Sequence, residues 1–235
     1  MQFDLGQWHG ELLFLYGKYK DLREFCMDKD ALYAHVTENR VILGMDNGYY
    51  FKSSEKSDLE RWLEPKTEII QDAFKTFELQ IPVIFSSYLE DAIVTFFTCY
   101  LVNDPSQIAS YVSPLDQDQV KGFVRVDEII KHHSIEALIS ELASKAAHNA
   151  ASGKSKKKVF SRLEALAKYE IDSDVKKKII ALYEKRNEIV HENRQSELGQ
   201  EYIEEIYDDC VALIGELGKI CRERDVPYYD PSGLL

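Results

Sequence analysis

The sequence predicts an all-α or mainly α protein, a helical bundle with an N-terminal helical extension. Apolar residues recur at the spacing of an α-helix along most of the chain. Strand-like patterning is limited to residues 40–52. The 235 residues are 45% hydrophobic and 30% charged, as expected for a globular protein with a solvated surface. A chain of this length can bury the core of one domain and carry an elaborated end.

Residues 1–65 are predicted to be an N-terminal extension, to which we assign no role. Apolar residues at helical spacing over 8–38 indicate one or two helices. Over 40–52, apolar and aromatic runs flank Asp46-Asn47-Gly48, a sequence that favours the tight turn of a β-hairpin. A helix–loop–helix also fits this segment. The extension is therefore helical, with a hairpin as its one candidate β element.

Residues 66–223 are predicted to form the main helical domain. Its first helix runs from 66 to about 102 and is kinked or broken at Pro82, which lacks the backbone N–H that a helix interior needs. The apolar stretch after the proline carries Glu90 and Asp91 at its middle, where a charge in a membrane span is most costly, so we interpret it as a buried core helix. Further helices are predicted at 106–113, 117–122, 127–149, 159–168, 174–193 and 199–223, with a loop at 147–158 and a tail at 224–235.

The net charge of −12 and the isoelectric point near 5.0 argue against a protein that coats nucleic acid, because counterion release needs a broadly basic surface. A local basic patch can still bind RNA. Two lysine clusters, GKSKKK and DVKKK, provide such patches, although each also fits a solvated loop or helix surface. The candidate RNA-binding residues are Lys154, Lys156, Lys157, Lys158 and Lys176.

Cysteine usage and the first residues predict a cytoplasmic protein. The four cysteines include no C-x-x-C pair, so neither a zinc knuckle nor a disulfide framework is indicated. Asp4, His9 and Glu11 stand where a signal peptide would be apolar.

The sequence contains no recognisable metal or nucleotide site. His132-His133 has no cysteine or carboxylate at ligand spacing, and no G-x-x-x-x-G-K loop is present. We therefore expect no membrane association, no metal and no cofactor.

The helix that contains Arg186 places a charge in its own apolar face. At about 100° per residue, Arg186 falls inside the apolar stripe, while Asn187 and His191 lie along one edge of it. Arginine cannot lose its proton, and burial without a partner is costly. The partner is either a carboxylate of the central helix, Glu90 or Asp91, or a phosphate. The stripe itself comprises Val175, Ile179, Leu182, Tyr183, Ile189 and Val190.

The segment Arg186-Asn187-Glu188-Ile189-Val190-His191 resembles the signature of the HEPN superfamily: an arginine, a polar residue that is most often asparagine, a few variable residues and a histidine. Arg125 and His132 have similar spacing, but Val126 stands where the family has a polar residue. The resemblance covers residues 66–223 and implies an all-α bundle in which the motif lies toward the end of a helix.

The resemblance implies a metal-independent endoribonuclease. In such enzymes the 2′-hydroxyl of RNA attacks the neighbouring phosphate and leaves 2′,3′-cyclic phosphate and 5′-hydroxyl ends. The resemblance assigns general acid–base catalysis to His191 and binding of the phosphate oxygens to Arg186. It assigns to Asn187 the orientation of the histidine or of the phosphate. Glu90 and Asp91 stand at the family's supporting acidic position. Two copies of the motif face each other across a homodimer and form a composite active site.

The family also suggests a biological setting. HEPN ribonucleases are common as toxins in toxin–antitoxin pairs and as effectors of prokaryotic antiviral defence, where they cleave transfer or messenger RNA. An inhibitory or activating protein partner is therefore expected, and DNA binding is not. Some of these toxins carry a tyrosine two residues after the histidine for modification by the antitoxin, and Asn193 stands there instead. This departure argues against control by tyrosine modification.

Two other functions remain open. Some HEPN modules have lost the chemistry and bind RNA, a nucleotide or a protein partner. Such members usually lack the arginine or the histidine, whereas Arg186 and His191 are both present here. A helical scaffold without a ligand is the third reading. The sequence thus favours the ribonuclease.

Overall fold

The computed structural model describes residues 1–38, 42–46, 49–53, 56–111, 129, 131–153, 155–192, 198–231 and 233. Over these residues the protein is mainly α-helical, which confirms the predicted fold class. The α-helices are α1 (Leu5–Met27), α2 (Lys29–Glu38), α3 (Lys56–Glu78), α4 (Ile81–Asn103), α5 (Ile135–Ala151), α6 (Lys156–Ala167), α7 (Ser173–Glu192) and α8 (Gln200–Glu223). The strands are β1 (Phe3–Asp4), β2 (Ile42–Asp46), β3 (Tyr49–Ser53) and β4 (Tyr228–Tyr229).

Helix α4 lies at the centre of the bundle. Thirteen of its 23 residues are buried, as its nearly continuous apolar sequence requires. It packs against α1, α5, α7 and α8. The aromatic residues Phe85, Phe96 and Phe97 are fully buried in this core. The central helix therefore fixes the positions of the helices around it.

Two prolines lie near the start of the predicted domain. We predicted one helix from 66 to about 102, kinked or broken at Pro82, and the helix is broken there, because α3 ends at Glu78 and α4 begins anew at Ile81. Pro82 occupies the first turn of α4, where a missing N–H leaves no hydrogen bond unmade. Pro65 lies inside α3, so this helix begins earlier than predicted. The predicted domain boundary after residue 65 falls within a helix.

The segment Leu63–Asn103 contains an 18-residue stretch that is long and apolar enough to cross a membrane by length and composition, with a mean hydropathy of 1.3. Of this stretch, 56% is buried inside the protein. Core helices of soluble proteins have the same property, so this stretch is weak evidence for a membrane span.

The N-terminal extension belongs to the same hydrophobic core as the rest of the bundle. Leu5, Trp8 and Leu12 of α1 are buried in that core, and α1 packs against α8 as well as α3 and α4. The predicted C-terminal tail contributes β4, which pairs in parallel with β1. At Gly6 a Cβ atom would lie 2.4 Å from Cγ of Pro231, so the close approach of the two chain ends needs a glycine there.

The predicted hairpin is confirmed. Strands β2 and β3 are antiparallel, and the register pairs Asp46 with Tyr49. The turn predicted at Asn47-Gly48 lies outside the described residues. A 3₁₀ helix at Pro105–Ser110 replaces the first of the two short helices predicted after α4. The second, at 117–122, also lies outside the described residues.

A buried polar network connects α1, α3 and α8. The Tyr19 hydroxyl donates a 2.6 Å hydrogen bond to Oε1 of Glu78, and Nε of Arg23 lies 3.4 Å from the same oxygen. Nη1 of Arg23 donates to Oε1 of Gln200 at 3.2 Å. Glu78 is only 4% exposed. Burial of Tyr19, together with its hydrogen bond to the Glu78 carboxylate, raises the pKa of Tyr19. The network places the Tyr19 hydroxyl and the Arg23 charge beside one buried carboxylate, and Nε of Arg23 forms no hydrogen bond within the described residues.

We expect Glu78→Ala to lower the free energy of unfolding by about 3 kcal/mol, because it leaves Tyr19 and Arg23 without their buried acceptor. Urea denaturation of the purified protein measures the change. Glu68→Ala, an exposed position on the same helix, is the matched control and should change stability by less than about 0.5 kcal/mol. Equal unfolding midpoints for the two variants would contradict a stabilising role for the network.

Candidate functional site

Helix α7 carries the candidate site, and its start is firmly anchored. The carboxylate of Asp172 accepts hydrogen bonds from the backbone N–H groups of Asp174 at 2.8 Å and Val175 at 3.1 Å. These bonds lower the pKa of Asp172. The preceding loop is held by two side chains from other helices, since Glu164 accepts from the N–H of Ile171 and Glu216 from that of Asp172. The orientation of α7 is thus set at its N-terminal end.

The apolar stripe of α7 is buried along most of its length, as the helical wheel predicted. Ile179, Leu182, Tyr183 and Ile189 are buried. Val190 is an exception, because it is 47% exposed at the last turn of the helix. The described part of the protein therefore leaves the C-terminal end of the stripe uncovered.

Arg186 is half-buried at this open end of the stripe. Its Nη1 donates a 3.1 Å hydrogen bond to Oδ1 of its neighbour Asn187. Among the described residues, no carboxylate forms an ion pair with it. Glu90, one of the two acids considered as its partner, binds Lys156 instead, and Asp91 is exposed. The structure thus has no internal Arg–Glu pair at this position within the residues described.

A cleft of about 620 Å³ opens beside Arg186. It is lined by residues of α7, by residues at the start of α6, and by Glu90 of α4. Asn187 and His191, both exposed, share the α7 wall with Arg186. The charged residues of the cleft are Lys156, Lys157, Arg186, Glu90 and Glu184, and His191 adds an imidazole.

Lys156 crosses the cleft from α6 to α4. Its ammonium lies 2.6 Å from Oε1 of Glu90 and 4.1 Å from the centre of the Tyr183 ring, which is a cation–π contact. The Tyr183 hydroxyl in turn donates a 3.1 Å hydrogen bond to the carbonyl of Ser86. Burial, with the nearby Glu90 carboxylate, raises the pKa of Tyr183 far above its usual value, so the phenol stays protonated at neutral pH.

Most of the residues singled out by sequence meet at this cleft. Arg186, Asn187 and His191 line it together with Glu90, Lys156 and Lys157. Asp91 lines an adjoining cavity of about 310 Å³ that also includes Glu90 and Lys156.

The remaining lysines of the two clusters lie elsewhere. Lys158 is exposed on α6 and is not part of the cleft wall. Lys176 binds the carboxylate of Glu164, so its charge is used to hold the start of α7. Lys154 lies outside the described residues.

The residues of the cleft that were not recognised as functional from the sequence include Tyr183 and Glu184. Tyr183 was placed in the core stripe, although its position three residues before Arg186 puts both on one face. Glu184 follows Tyr183 on α7 and also lines the cleft. The contact of Lys156 with Tyr183 joins two helices and leaves no local pattern in the sequence.

The cleft offers an arginine, an imidazole and lysine ammonium groups to an anionic ligand. No group of three or more potential metal ligands occurs among the residues searched, which are the described ones. Comparisons with protein-family models, with curated proteins and with solved structures give no match for this chain. The site must therefore be interpreted from its own chemistry.

We expect Tyr183→Phe to lower the free energy of unfolding by about 1 kcal/mol, since the carbonyl of Ser86 loses its donor while the ring beneath Lys156 is kept. Thermal or urea unfolding measures this loss. The control is Tyr88→Phe on α4, whose hydroxyl has no hydrogen-bond partner within the described residues, and whose effect should stay below about 0.5 kcal/mol. A smaller loss for Tyr183→Phe than for Tyr88→Phe would refute the assigned bond.

Proposed function

We propose that this chain is a metal-independent endoribonuclease of the HEPN type. The observation that carries the proposal is the state of Arg186: a half-buried guanidinium that no described carboxylate neutralises, in one cleft with Asn187 and His191. A permanent charge in such a place calls for an anionic ligand. A phosphodiester meets that need, since guanidinium groups bind two phosphate oxygens at once.

The proposed reaction uses the nucleophile that RNA itself provides. His191 takes the proton of a 2′-hydroxyl, whose oxygen then forms a bond to the adjacent phosphorus. Arg186 stabilises the extra negative charge on the phosphorane oxygens. The bond from phosphorus to the 5′-oxygen breaks, and that oxygen takes up a proton. The products are a 2′,3′-cyclic phosphate and a 5′-hydroxyl, and Asn187 orients the imidazole or the phosphate.

The second proton transfer supports a homodimer. Cleavage needs a base and an acid, and His191 is the one imidazole among the described residues that line the cleft. Val190, one residue before His191, is 47% exposed and is therefore available for contact with a second copy. In the proposed dimer the partner subunit's His191 supplies the acid, and the two clefts form a composite active site.

The charge distribution fits an enzyme that acts on RNA without coating it. The chain carries a net charge of −12, whereas the cleft holds three cationic side chains, Lys156, Lys157 and Arg186, against the two carboxylates of Glu90 and Glu184. We propose a cytoplasmic toxin or antiviral defence effector that cleaves transfer or messenger RNA. An inhibitory or activating protein partner would restrain it.

The decisive experiment is incubation of purified protein with transfer RNA in EDTA. We expect cleavage with cyclic phosphate ends, and we expect His191→Ala to reduce the rate at least about 100-fold because the proton transfer is lost. Light scattering during gel filtration should show that the variant is still a dimer. His133→Ala, an exposed histidine outside the cleft, is the matched control and should cleave at the wild-type rate.

Each alternative has its own outcome. Retention of transfer RNA without cleavage favours the non-catalytic binding module. Neither retention nor cleavage favours a scaffold. Wild-type cleavage by the His191→Ala protein removes the catalytic role assigned to this residue.

A further inference from the structure

The ion pair between Lys156 and Glu90 occupies the cleft in which we propose that RNA is bound. The ammonium and the carboxylate oxygen are 2.6 Å apart, and both side chains line the cleft wall. A carboxylate and a phosphodiester each carry one negative charge and offer the same kind of oxygen to an ammonium group. Glu90 therefore stands where an anionic ligand of Lys156 would stand.

The two partners are held to different degrees. The Lys156 side chain is 16% exposed and rests on the Tyr183 ring, which is itself buried. The Glu90 side chain is 43% exposed, and the ion pair with Lys156 is its one contact of this kind among the described residues. Partly exposed ion pairs contribute little to stability, so solvent or a competing anion can replace the carboxylate. Lys156 also contacts the Tyr183 ring, and this contact does not involve Glu90.

Lys156 on α6 and Arg186 on α7 line the same cleft. Lys156 sits over the ring of Tyr183, which precedes Arg186 by three residues on α7. Residues three apart on a helix lie on nearly the same face, so Arg186 is less than one helical turn from the residue that Lys156 covers. A strand that lies along the cleft can therefore present one phosphate to each cation.

We propose that Glu90 holds the position of a second RNA phosphate, and that an RNA strand binds by displacing Glu90 from Lys156 while Arg186 receives the adjacent phosphate. The inference rests on the proposed function and names a binding residue, Lys156, with its built-in competitor, Glu90. The effect of the Glu90 charge on RNA affinity distinguishes a competing carboxylate from one that has only a structural role. Removal of the Glu90 charge strengthens RNA binding if Glu90 competes, and weakens it if Glu90 only positions Lys156.

The test measures binding separately from cleavage. The probe is a fluorescent single-stranded RNA with 2′-O-methyl groups throughout, which has no nucleophile and stays intact. Fluorescence anisotropy at several salt concentrations gives its Kd. We expect Glu90→Gln to bind at least about threefold more tightly and Lys156→Gln about tenfold more weakly. Lys156→Gln should also reduce the slope of log Kd against log salt by about 0.7, the share of one phosphate contact.

Two further variants complete the design. Lys156→Arg keeps the charge above Tyr183 and should bind within about threefold of wild type. Lys168→Gln removes a lysine charge from the exposed opposite end of α6 and should leave Kd unchanged. Thermal unfolding of each variant verifies that it is folded.

The outcomes separate this inference from the proposed function. If wild type cleaves unmodified RNA but Glu90→Gln weakens probe binding or leaves it unchanged, the displacement is wrong and the ribonuclease stands. A Kd of Lys156→Gln equal to wild type overturns the inference in the same way. If wild type neither cleaves RNA nor binds the probe, both proposals fail.

Discussion

The burial of α4 is the constraint on which the structure depends. An apolar helix of 23 residues must be covered on nearly every side, and α1, α5, α7 and α8 supply that cover. The few polar groups of α4 must then find partners at the edges of this packing. The backbone carbonyl of Ser86 accepts a hydrogen bond from the Tyr183 hydroxyl. Glu90, one turn further along α4, forms an ion pair with Lys156. The same packing that excludes water from the core thus forms one wall of the cleft.

The sequence predicted those features that depend on local patterns. Helical spacing located most helices, and the turn sequence at Asn47-Gly48 located the hairpin whose strands are β2 and β3. The helical wheel placed Arg186 in an apolar face, and the structure has it half-buried there. These predictions succeed because helix and hairpin geometry follow from residues close in the chain.

The features that sequence missed depend on distant parts of the chain. Lys156 and Lys176 belong to similar lysine clusters, yet one reaches the cleft and the other holds Glu164. Only the packing of α6 against α7 distinguishes them. Val190 belongs to the apolar stripe by periodicity and is 47% exposed, whereas Ile189 beside it is buried. Pro65 is tolerated within α3 although its residue type favours a helix start. Tertiary context decides each of these cases.

The proposed exchange at Lys156 bears on how an acidic protein selects RNA. In the free protein Glu90 cancels the charge of Lys156, which leaves Arg186 as the open guanidinium of the cleft. A single phosphate that binds Arg186 gains nothing from Lys156 unless it also displaces the carboxylate. A strand presents a second phosphate at high effective concentration once the first is bound, so displacement becomes favourable. In this proposal, selectivity for a polymer over free phosphate follows from one intramolecular ion pair and from the presence of two cations in one cleft.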